Sequence, residues 1–473
     1  MDTIAITFPE VKISAQIKDL SFDTLENMIF EISQHISCKV FEKAITDIDD
    51  SLRNKRARGI LKNTGKRKKY FLTRFGDLYY SRTRYKDKSG KSCYLLDEAL
   101  SIVKNQRISL CRAMIESFLA TFSSYREVVT QAKLLLGSIR SHESIRRGVI
   151  KEAKGLIEAE KKRLQNIRNL KYPETDPPDT AYLEADATYI TLQHKGKKKG
   201  KLEIKVGVGY TGKELRYTTG QSKRLKEKFT FIGIGKHFME NLSLQAEARL
   251  SLSQVKKVIF GGDGDNWITI GIRDYFSSAT YILCLYHLYK RFRESLARRK
   301  PEQKLIKDFL LSNRINQGLA VIDHLIRHPY NQKEKDQLKK LYTYISRNRE
   351  GICNQYMLKD QKVERAGAIE SNINQVIASR FKKRGMSWSK QGAFALLKIK
   401  ETILNGEWDT WWKTQRSQRI KVGKHKPPLS ASHFKKTPEV SPLIEATIPA
   451  LSGPDQDKPW VSVLRKLAQV KSY

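Results

Sequence analysis

Three acidic residues in different surroundings are the candidates for catalytic chemistry, and the first is Asp186. It interrupts the apolar predicted strand Glu184-Ala-Asp-Ala-Thr-Tyr-Ile190. A carboxylate inside such a strand is costly unless it is paired, lies in a solvated cleft or binds a metal. Strand alternation places Glu184, Asp186 and Thr188 on one face. The strand alone leaves a structural acid and a metal ligand equally open.

The second acid, Asp263, follows the predicted buried strand Val255 to Phe260 and lies between Gly262 and Gly264. Glycines on both sides allow the backbone to turn sharply and a large ligand to approach closely. Glycine-rich acidic turns also occur in plain loops. Asp265, two residues further on, is an alternative ligand.

The third acid, Glu370, lies in the predicted helix Val363 to Arg380. Glu364 is an alternative ligand on a different face of that helix, because six residues do not complete two helical turns. A solvated helix face is the simpler interpretation of either side chain.

Taken together, Asp186, Asp263 and Glu370 predict a metal-dependent catalytic triad. Cleavage of a phosphodiester by two divalent ions needs several hard oxygen ligands at one point. We therefore expect two Mg²⁺ or Mn²⁺ ions as cofactors, since these ions suit carboxylates better than thiolates. The acids are 77 and 107 residues apart. The second interval is long enough to hold an inserted helical subdomain at residues 294–358.

Cys284 and His287 are three residues apart and share a face if the segment is helical. A closed zinc site needs a second pair of ligands, which the sequence does not offer in a matching motif. We therefore expect a buried structural pair near the catalytic core.

The composition indicates a polyanionic partner. Lys and Arg total 89 against 50 Asp and Glu, which gives a formal net charge of +39. A chain this basic is attracted to phosphate backbones by counterion release, and its binding should weaken with salt. Double-stranded DNA is the predicted partner, although a ribosome-associated or merely basic protein has similar charge.

The sequence predicts a cytoplasmic protein without a membrane partner. The N-terminal residues Met1 to Ile13 do not have the pattern of a signal peptide. The most apolar stretch, Tyr281 to Tyr289, is about half as long as a membrane helix. The five cysteines are odd in number and scattered, which argues against a disulfide framework.

We expect a multidomain α/β protein. Its predicted parts are an N-terminal helical segment (1–60), a basic β-hairpin module (61–100), a helix-turn-helix-like DNA-binding region (101–171), the first part of the catalytic core (181–293), the helical insertion (294–358), the last part of the core (359–415) and a basic C-terminal tail (416–473).

The predicted helix-turn-helix runs from Tyr125–Leu136 through Gly137 to Ser141–Lys154. It would present Arg146 and Arg147 to the major groove. An ordinary helical hairpin fits the same spacing. A second predicted set of phosphate contacts follows Glu370, and its members are Arg380, Lys382, Lys383 and Arg384.

The predicted catalytic core begins with strand, strand, strand, helix and strand. These elements are residues 182–193, 202–210, 215–219, 233–252 and 255–260. The ribonuclease H-like fold begins with this order. It would place one carboxylate in the first strand and another just after the fourth, where Asp186 and Asp263 lie. We therefore expect a mixed sheet with flanking helices.

Several motifs in combination resemble the ISLre family of bacterial insertion-sequence transposases, relatives of the Mutator-like group. The motifs are Glu184-Ala-Asp186, Gly262-Asp-Gly-Asp-Asn-Trp-Ile268, Cys284-Leu-Tyr-His287, Gly367-Ala-Ile-Glu370 and Arg384-Gly-Met-Ser-Trp388. The resemblance implies that Asp186, Asp263 and Glu370 bind the metal ions and that the activity is cut-and-paste DNA transposition. One departure is Asp265, where relatives tend to carry a small residue.

Two other functions remain open at this point. A non-catalytic DNA-binding protein derived from a transposase would keep the charge without the chemistry. A structure-selective nuclease with a ribonuclease H-like fold would cut DNA without joining it. For a transposase, synapsis of two transposon ends favours a homo-oligomer.

Overall fold

The computed structural model describes residues 21–56, 59–172, 175–193, 200–215, 223–358, 367–382 and 385–425. The chain divides into two compact units. The hairpin unit comprises the described parts of Met1–Ser109, Leu136–Ser138 and Gln415–Tyr473. The sheet unit comprises the described parts of Leu110–Leu135 and Ile139–Thr414. All three candidate acids belong to the sheet unit.

The hairpin unit consists of a long helix and a small antiparallel sheet in the order β1-β2-β3. Its elements are α1 (Phe22–Lys55), β1 (Lys62–Thr73), β2 (Gly76–Lys86), β3 (Ser92–Cys93) and α2 (Leu95–Ala99). Helix α1 begins after Ser21, whose hydroxyl accepts a hydrogen bond from the backbone N–H of Thr24. Ile45 of α1 packs with Phe71 and Leu78 of the sheet.

Strands β1 and β2 form an antiparallel hairpin. Thr73 pairs with Gly76, so the turn consists of Arg74 and Phe75. The Thr73 hydroxyl fixes this turn, because it accepts a hydrogen bond from Phe75 N at 3.1 Å and donates one to Gly76 O at 2.9 Å. The basic segment before Tyr70 extends the first strand back to Lys62.

The sheet unit is built around a mixed sheet of five strands in the order β10-β9-β4-β5-β8. Its strands are β4 (Thr180–Thr191), β5 (Lys201–Tyr210), β6 (Gly212–Leu215), β7 (Lys223–Lys226), β8 (Phe229–Gly233), β9 (Lys257–Gly262) and β10 (Ala279–Leu283). Strand β4 is antiparallel to β5 and parallel to β9, and β9 is parallel to β10. Strands β6 and β7 form a separate two-stranded ribbon.

Two strands of the five were not predicted correctly. The predicted third strand at 215–219 only touches the end of β6, and residues 216–222 lie outside the described part. The third strand of the main sheet is β8, whose five residues are all buried. Strand β10 is not among the predicted strands. Both are short runs of five mostly apolar residues, which hydrophobic periodicity cannot distinguish from buried helix.

The helices of the sheet unit are α3 (Leu110–Ala120), α4 (Tyr125–Leu136), α5 (His142–Arg168), α6 (Phe238–Leu250), α7 (Asn266–Tyr275), α8 (Leu285–Ser295), α9 (Lys300–Leu311), α10 (Ile315–Arg327), α11 (Gln332–Arg347), α12 (Arg349–Met357), α13 (Ile369–Ile373), a π-helix (Asn374–Lys382), α14 (Lys390–Leu404) and α15 (Trp408–His425). Helix α15 continues into the hairpin unit at Gln415.

The two faces of the main sheet are covered by different helices. Leu183 and Ala185 of β4 belong to a core that includes Leu242 of α6 and Ile268 of α7. The alternate residues of β4 face α13 on the other side, where Glu184 binds the backbone of that helix. The same strand therefore presents an apolar face to one layer and an acidic face to the other.

The helices that precede the main sheet in the chain, and the helices of the insertion that follows β10, belong to the same compact unit as the sheet. Helix α5 packs against α3, α6 and α14, because its buried residues, such as Ile145 and Val149, form an apolar stripe. We predicted a separate region at 101–171, but α3, most of α4 and α5 lie in the sheet unit. The predicted helical insertion contains α9 to α12, and its core is continuous with that of the sheet.

No described helix has the length and apolar character needed to cross a membrane. No disulfide joins the five cysteines, all of which lie in described segments.

Helix α12 approaches β10 so closely that only glycine fits at position 351. A Cβ on Gly351 would lie 2.6 Å from Tyr281 Cε1 and 2.9 Å from Leu283 N. We expect Gly351→Ala to lower the free energy of unfolding by about 1–3 kcal/mol through overpacking, measured by thermal or urea unfolding.

Gly212→Ala is the matched control, because a Cβ on Gly212 would meet no atom within 4 Å. Equal stability of the two variants would contradict the close packing of α12 on β10.

Candidate active site

The pairing of two parallel strands brings Asp186 and Asp263 together. Strands β4 and β9 are neighbours, and Ala185 pairs with Gly262. Each acid is the residue that follows this pair, so both side chains lie at the same end of the sheet. Asp186 is buried and Asp263 is half-buried.

The end of the next parallel strand adds a histidine to the two acids. Cys284 follows β10, and its backbone N–H donates to Gly262 O at 2.8 Å. Helix α8 begins there and carries His287 in its first turn. His287 Nε2 lies 4.0 Å from Asp186 Oδ2. The sequence predicts Cys284 and His287 as a structural pair, but the structure places them directly beside the acids.

Helix α13 completes the cluster with Glu370. The Cys284 thiol donates a hydrogen bond to Glu370 Oε1 at 2.7 Å. His287 Nδ1 lies 3.4 Å from the same oxygen, but this buried nitrogen has no hydrogen-bond partner among the described residues. Glu370 is thus held by the sulfur and lies within ion-pair distance of the imidazole.

Two overlapping sets of side chains have the spacing of metal ligands. Asp186, Asp263 and His287 offer ligand atoms that all lie within 4.8 Å of one another, and so do Cys284, His287 and Glu370. His287 belongs to both sets, and it therefore lies between Glu370 on one side and Asp186 and Asp263 on the other.

Burial in the cluster raises the pKa values of Asp186 and Asp263. Burial, and then the neighbouring Asp263, raise the pKa of Asp186 from 3.8 to about 6. Burial also raises the pKa of Asp263. Ionising both groups in the metal-free protein is therefore unfavourable.

The other members of the cluster partly offset this repulsion. Burial acts to lower the pKa of His287, but the Glu370, Asp186 and Asp263 carboxylates raise it above its usual value. Burial acts to raise the pKa of Glu370, but contacts with His287 and Cys284 lower it. Burial and the nearby Glu370 raise the pKa of the Cys284 thiol. In the metal-free protein the sulfur is therefore a thiol that donates a hydrogen bond to Glu370.

The helical insertion supports the Asp263 turn. The Tyr344 hydroxyl of α11 donates to Asp263 O at 2.7 Å. Gly264 has a φ of +88°, and a Cβ there would lie 2.5 Å from the Asn348 side-chain amide nitrogen. Asp263 Oδ1 also accepts from Asp265 N at 2.9 Å. These contacts fix the direction of the Asp263 side chain.

A fourth acid, Glu184, lies on the same face of β4 as Asp186 and is 1% exposed. Its carboxylate accepts hydrogen bonds from the backbone N–H groups of Gly367, Ala368 and Ile369. Strand alternation identified its face from the sequence. Its partners could not be identified, because they lie more than 180 residues away along the chain.

Of the two alternative ligands, only Asp265 lies in the described part of the chain, and it does not join the cluster. Asp265 is exposed and directly precedes α7, so its carboxylate belongs to neither ligand set. Glu364 lies outside the described residues.

The predicted DNA-contacting residues occupy different environments. Arg146 and Arg147 both pair with Glu143 at the start of α5. Arg380 is 3% exposed, and its guanidinium lies 4.7 Å from the ring centre of Trp388. This burial does not favour a phosphate contact by Arg380.

Lys382 is the predicted phosphate contact that lies beside the acids. Its amine contacts the Thr188 hydroxyl on the Asp186 face of β4. Burial lowers the pKa of Lys382, and the Asp186 carboxylate opposes this effect. Lys383 and Arg384 lie outside the described residues.

Residues 16–417 match the model of an uncharacterised protein family, UPF0236. The chain belongs to the UPF0236 family. The UPF0236 protein TTE2489 of Caldanaerobacter subterraneus subsp. tengcongensis is 24% identical over 399 residues, which cover 82% of this chain and 80% of the relative. A UPF0236 protein in the vanSb 3′ region of Streptococcus gallolyticus is 24% identical over 402 residues, covering 82% and 85%.

The name of a third UPF0236 relative, from Caldanaerobacter subterraneus, combines the designations of eleven loci. It is 23% identical over 393 residues, which cover 80% of this chain and 77% of the relative.

Because the pKa of Asp186 is raised, its charge destabilises the metal-free fold. We expect Asp186→Asn to raise the free energy of unfolding at pH 7.5 by about 1–3 kcal/mol, since one pKa unit corresponds to about 1.4 kcal/mol. The wild-type protein should gain this stability as the pH falls from about 6 towards 3.8, because the folded state then binds the extra proton. Unfolding by urea in a metal chelator, followed against pH, measures both effects.

Asp265→Asn is the control, because Asp265 is exposed and belongs to neither ligand set. Its stability should change by less than about 0.5 kcal/mol. A destabilised Asp186→Asn variant would contradict the proposed repulsion.

Proposed function

We propose that this protein is a metal-dependent DNA transposase of the ISLre type. It would cut DNA at transposon ends and join the freed 3′-hydroxyls to target DNA. The observation that carries the proposal is the convergence of Asp186, Asp263 and Glu370, from a strand, a turn and a helix, around His287. Acids so distant in sequence rarely meet unless they share a ligand or a proton.

The topology of the sheet supports a ribonuclease H-like core. The strands follow one another across the sheet as third, second, first, fourth and fifth in chain order. One acid lies in the first strand and another follows the fourth. This is the arrangement that the sequence led us to expect of that fold.

The donor atoms suit a hard divalent cation. Asp186, Asp263 and Glu370 provide carboxylate oxygens, which Mg²⁺ and Mn²⁺ prefer. The raised pKa of Cys284 keeps the one sulfur in the cluster as a thiol. When bound, a pair of such ions would activate the attacking oxygen and stabilise the leaving oxygen.

The remaining side chains would hold charge and position around the acids. The neighbouring carboxylates raise the pKa of His287, and its protonated ring would reduce the repulsion between Asp186 and Glu370. The Cys284 hydrogen bond orients Glu370. Lys382 carries positive charge to the acidic face of β4, where a phosphate of the substrate would lie.

Two further observations favour DNA transposition over other phosphodiester chemistry. The net charge of +39 favours a polyanion. A relative whose name joins eleven loci of one organism has the copy number of a gene that inserts itself repeatedly. We propose that the protein acts in the cytoplasm on the bacterial nucleoid, as a homo-oligomer that holds two DNA ends.

The test is a strand-transfer assay with the purified full-length protein, Mn²⁺ and a plasmid that carries the DNA flanking its gene on both sides. We expect cleavage at the flanks and joined products that sequencing detects. Asp186→Asn, Asp263→Asn and Glu370→Gln should each reduce cleavage by more than about 100-fold, because losing a supporting partner of a ligand already costs about 10- to 100-fold. Asp265→Asn should remain active.

Other outcomes identify the alternatives. A gel shift without any strand break would indicate a non-catalytic DNA-binding protein. Cutting without joined products would indicate a nuclease. Loss of activity in Asp265→Asn but not in Asp263→Asn would overturn the assignment of the second acid.

A further inference from the structure

Glu184 is a buried carboxylate whose hydrogen-bonding capacity is fully used inside the protein. Its Oε1 accepts from the Tyr210 hydroxyl at 2.7 Å and from Ala368 N at 3.1 Å. Its Oε2 accepts from Gly367 N at 3.0 Å and from Ile369 N at 3.1 Å. A carboxylate offers about four lone-pair positions. Since all four are occupied, Glu184 has none left for a metal ion.

The three backbone N–H groups belong to Gly367, to the N-cap residue Ala368 and to Ile369, the first residue of α13, which is the helix that carries Glu370. The first N–H groups of a helix have no partner within the helix and need one from elsewhere. The N-cap residue of α13 is Ala368, whose side chain cannot accept a hydrogen bond. Glu184 supplies this cap from the neighbouring sheet, and its negative charge suits the positive end of the helix.

The cap links two of the candidate metal ligands through a short path. Asp186 is two residues from Glu184 on the same face of β4, and Glu370 directly follows the capped residue Ile369. The remaining partner, Tyr210, is fully buried and stacks on Tyr182 with ring centres 5.1 Å apart. The link therefore starts and ends on elements whose positions are fixed by packing.

We propose that Glu184 is a positioning residue that holds Glu370 at a fixed place relative to Asp186. Glu370 can then bind divalent cations together with Asp186 and Asp263. This inference rests on the proposed function for the role of the metal. The capping of α13 by Glu184 can be tested without metal.

The first test is Glu184→Gln, which keeps the shape of the side chain but replaces one acceptor oxygen with an amide donor. Two of the four donors would then face an NH₂ group and lose their partner. In hydrogen exchange without metal, we expect the amides of residues 367–373 to exchange about ten-fold faster than in the wild type. The same variant should bind Mn²⁺ about 10- to 100-fold more weakly, measured by electron paramagnetic resonance.

A double variant separates positioning from direct ligation. If Glu184 acts only through Glu370, then Glu184→Gln/Glu370→Gln should bind Mn²⁺ no more weakly than Glu370→Gln alone. Losses that add in the double variant would mean that Glu184 binds the metal itself, and they would overturn the proposal.

Asp49→Asn is the matched control in the hairpin unit. Asp49 is 1% exposed and accepts hydrogen bonds from the backbone N–H and the hydroxyl of Thr83. Its amide variant loses the same kind of interaction, but it should leave Mn²⁺ affinity and the exchange of residues 367–373 unchanged. An equal effect of Asp49→Asn would reduce Glu184 to a general contributor to stability.

Tyr210→Phe keeps the experiment decisive if Glu184→Gln does not fold. It removes one of the four donors and retains the ring that stacks on Tyr182. We expect a few-fold faster exchange of residues 367–373 and a few-fold weaker Mn²⁺ binding. Unchanged exchange in a folded Glu184→Gln or Tyr210→Phe variant would overturn the proposal. Failure of the wild-type protein to bind Mn²⁺ would instead overturn the proposed function, because the exchange measurement does not depend on metal.

Discussion

The in-register parallel pairing of β4 with β9 is the constraint on which the site depends. It sets Ala185 opposite Gly262, and the next residue of each strand is an acid. Strand β4 continues past this point to Thr191, whereas the parallel strands β9 and β10 end here, so the residues that follow them lie beside Asp186. Strand β10 adds Cys284 and His287 there, and α13 brings Glu370 from the acidic face of β4.

This arrangement brings negative charges together in a partly buried place. The side chains of His287, Cys284 and Lys382 lie beside these charges. They compensate the acids incompletely, because Asp186 and Asp263 keep raised pKa values. Such a cluster opposes folding and is stable only because the surrounding core determines its geometry. A cation that binds there would relieve the repulsion and would stabilise the folded state.

The sequence allowed prediction of the local patterns but not of the partners. Asp186 stood out because it breaks an apolar strand, and Asp263 because glycines flank it. Strands β8 and β10 were missed because short apolar runs have no distinctive period. His287 was interpreted as structural because spacing within a motif cannot reveal that Glu370, 83 residues later, faces it. The prediction of Arg380 as a phosphate contact came from its place in a basic run, and the sequence could not show that its side chain is buried against Trp388.

Only part of the helical insertion contacts the Asp263 turn directly among the described residues, and this limits which of its helices can change without altering the turn. Tyr344 and Asn348 stand at the C-terminal end of α11, close to where the chain returns to the sheet. Helices α9 and α10 lie further from that junction in sequence. Changes in those two helices would therefore reach the Asp263 turn through the core that they share with α11 and α12. The final turn of α11 acts on it directly, because deleting that turn would remove the Tyr344 hydrogen bond to Asp263, a residue 81 positions earlier in the chain.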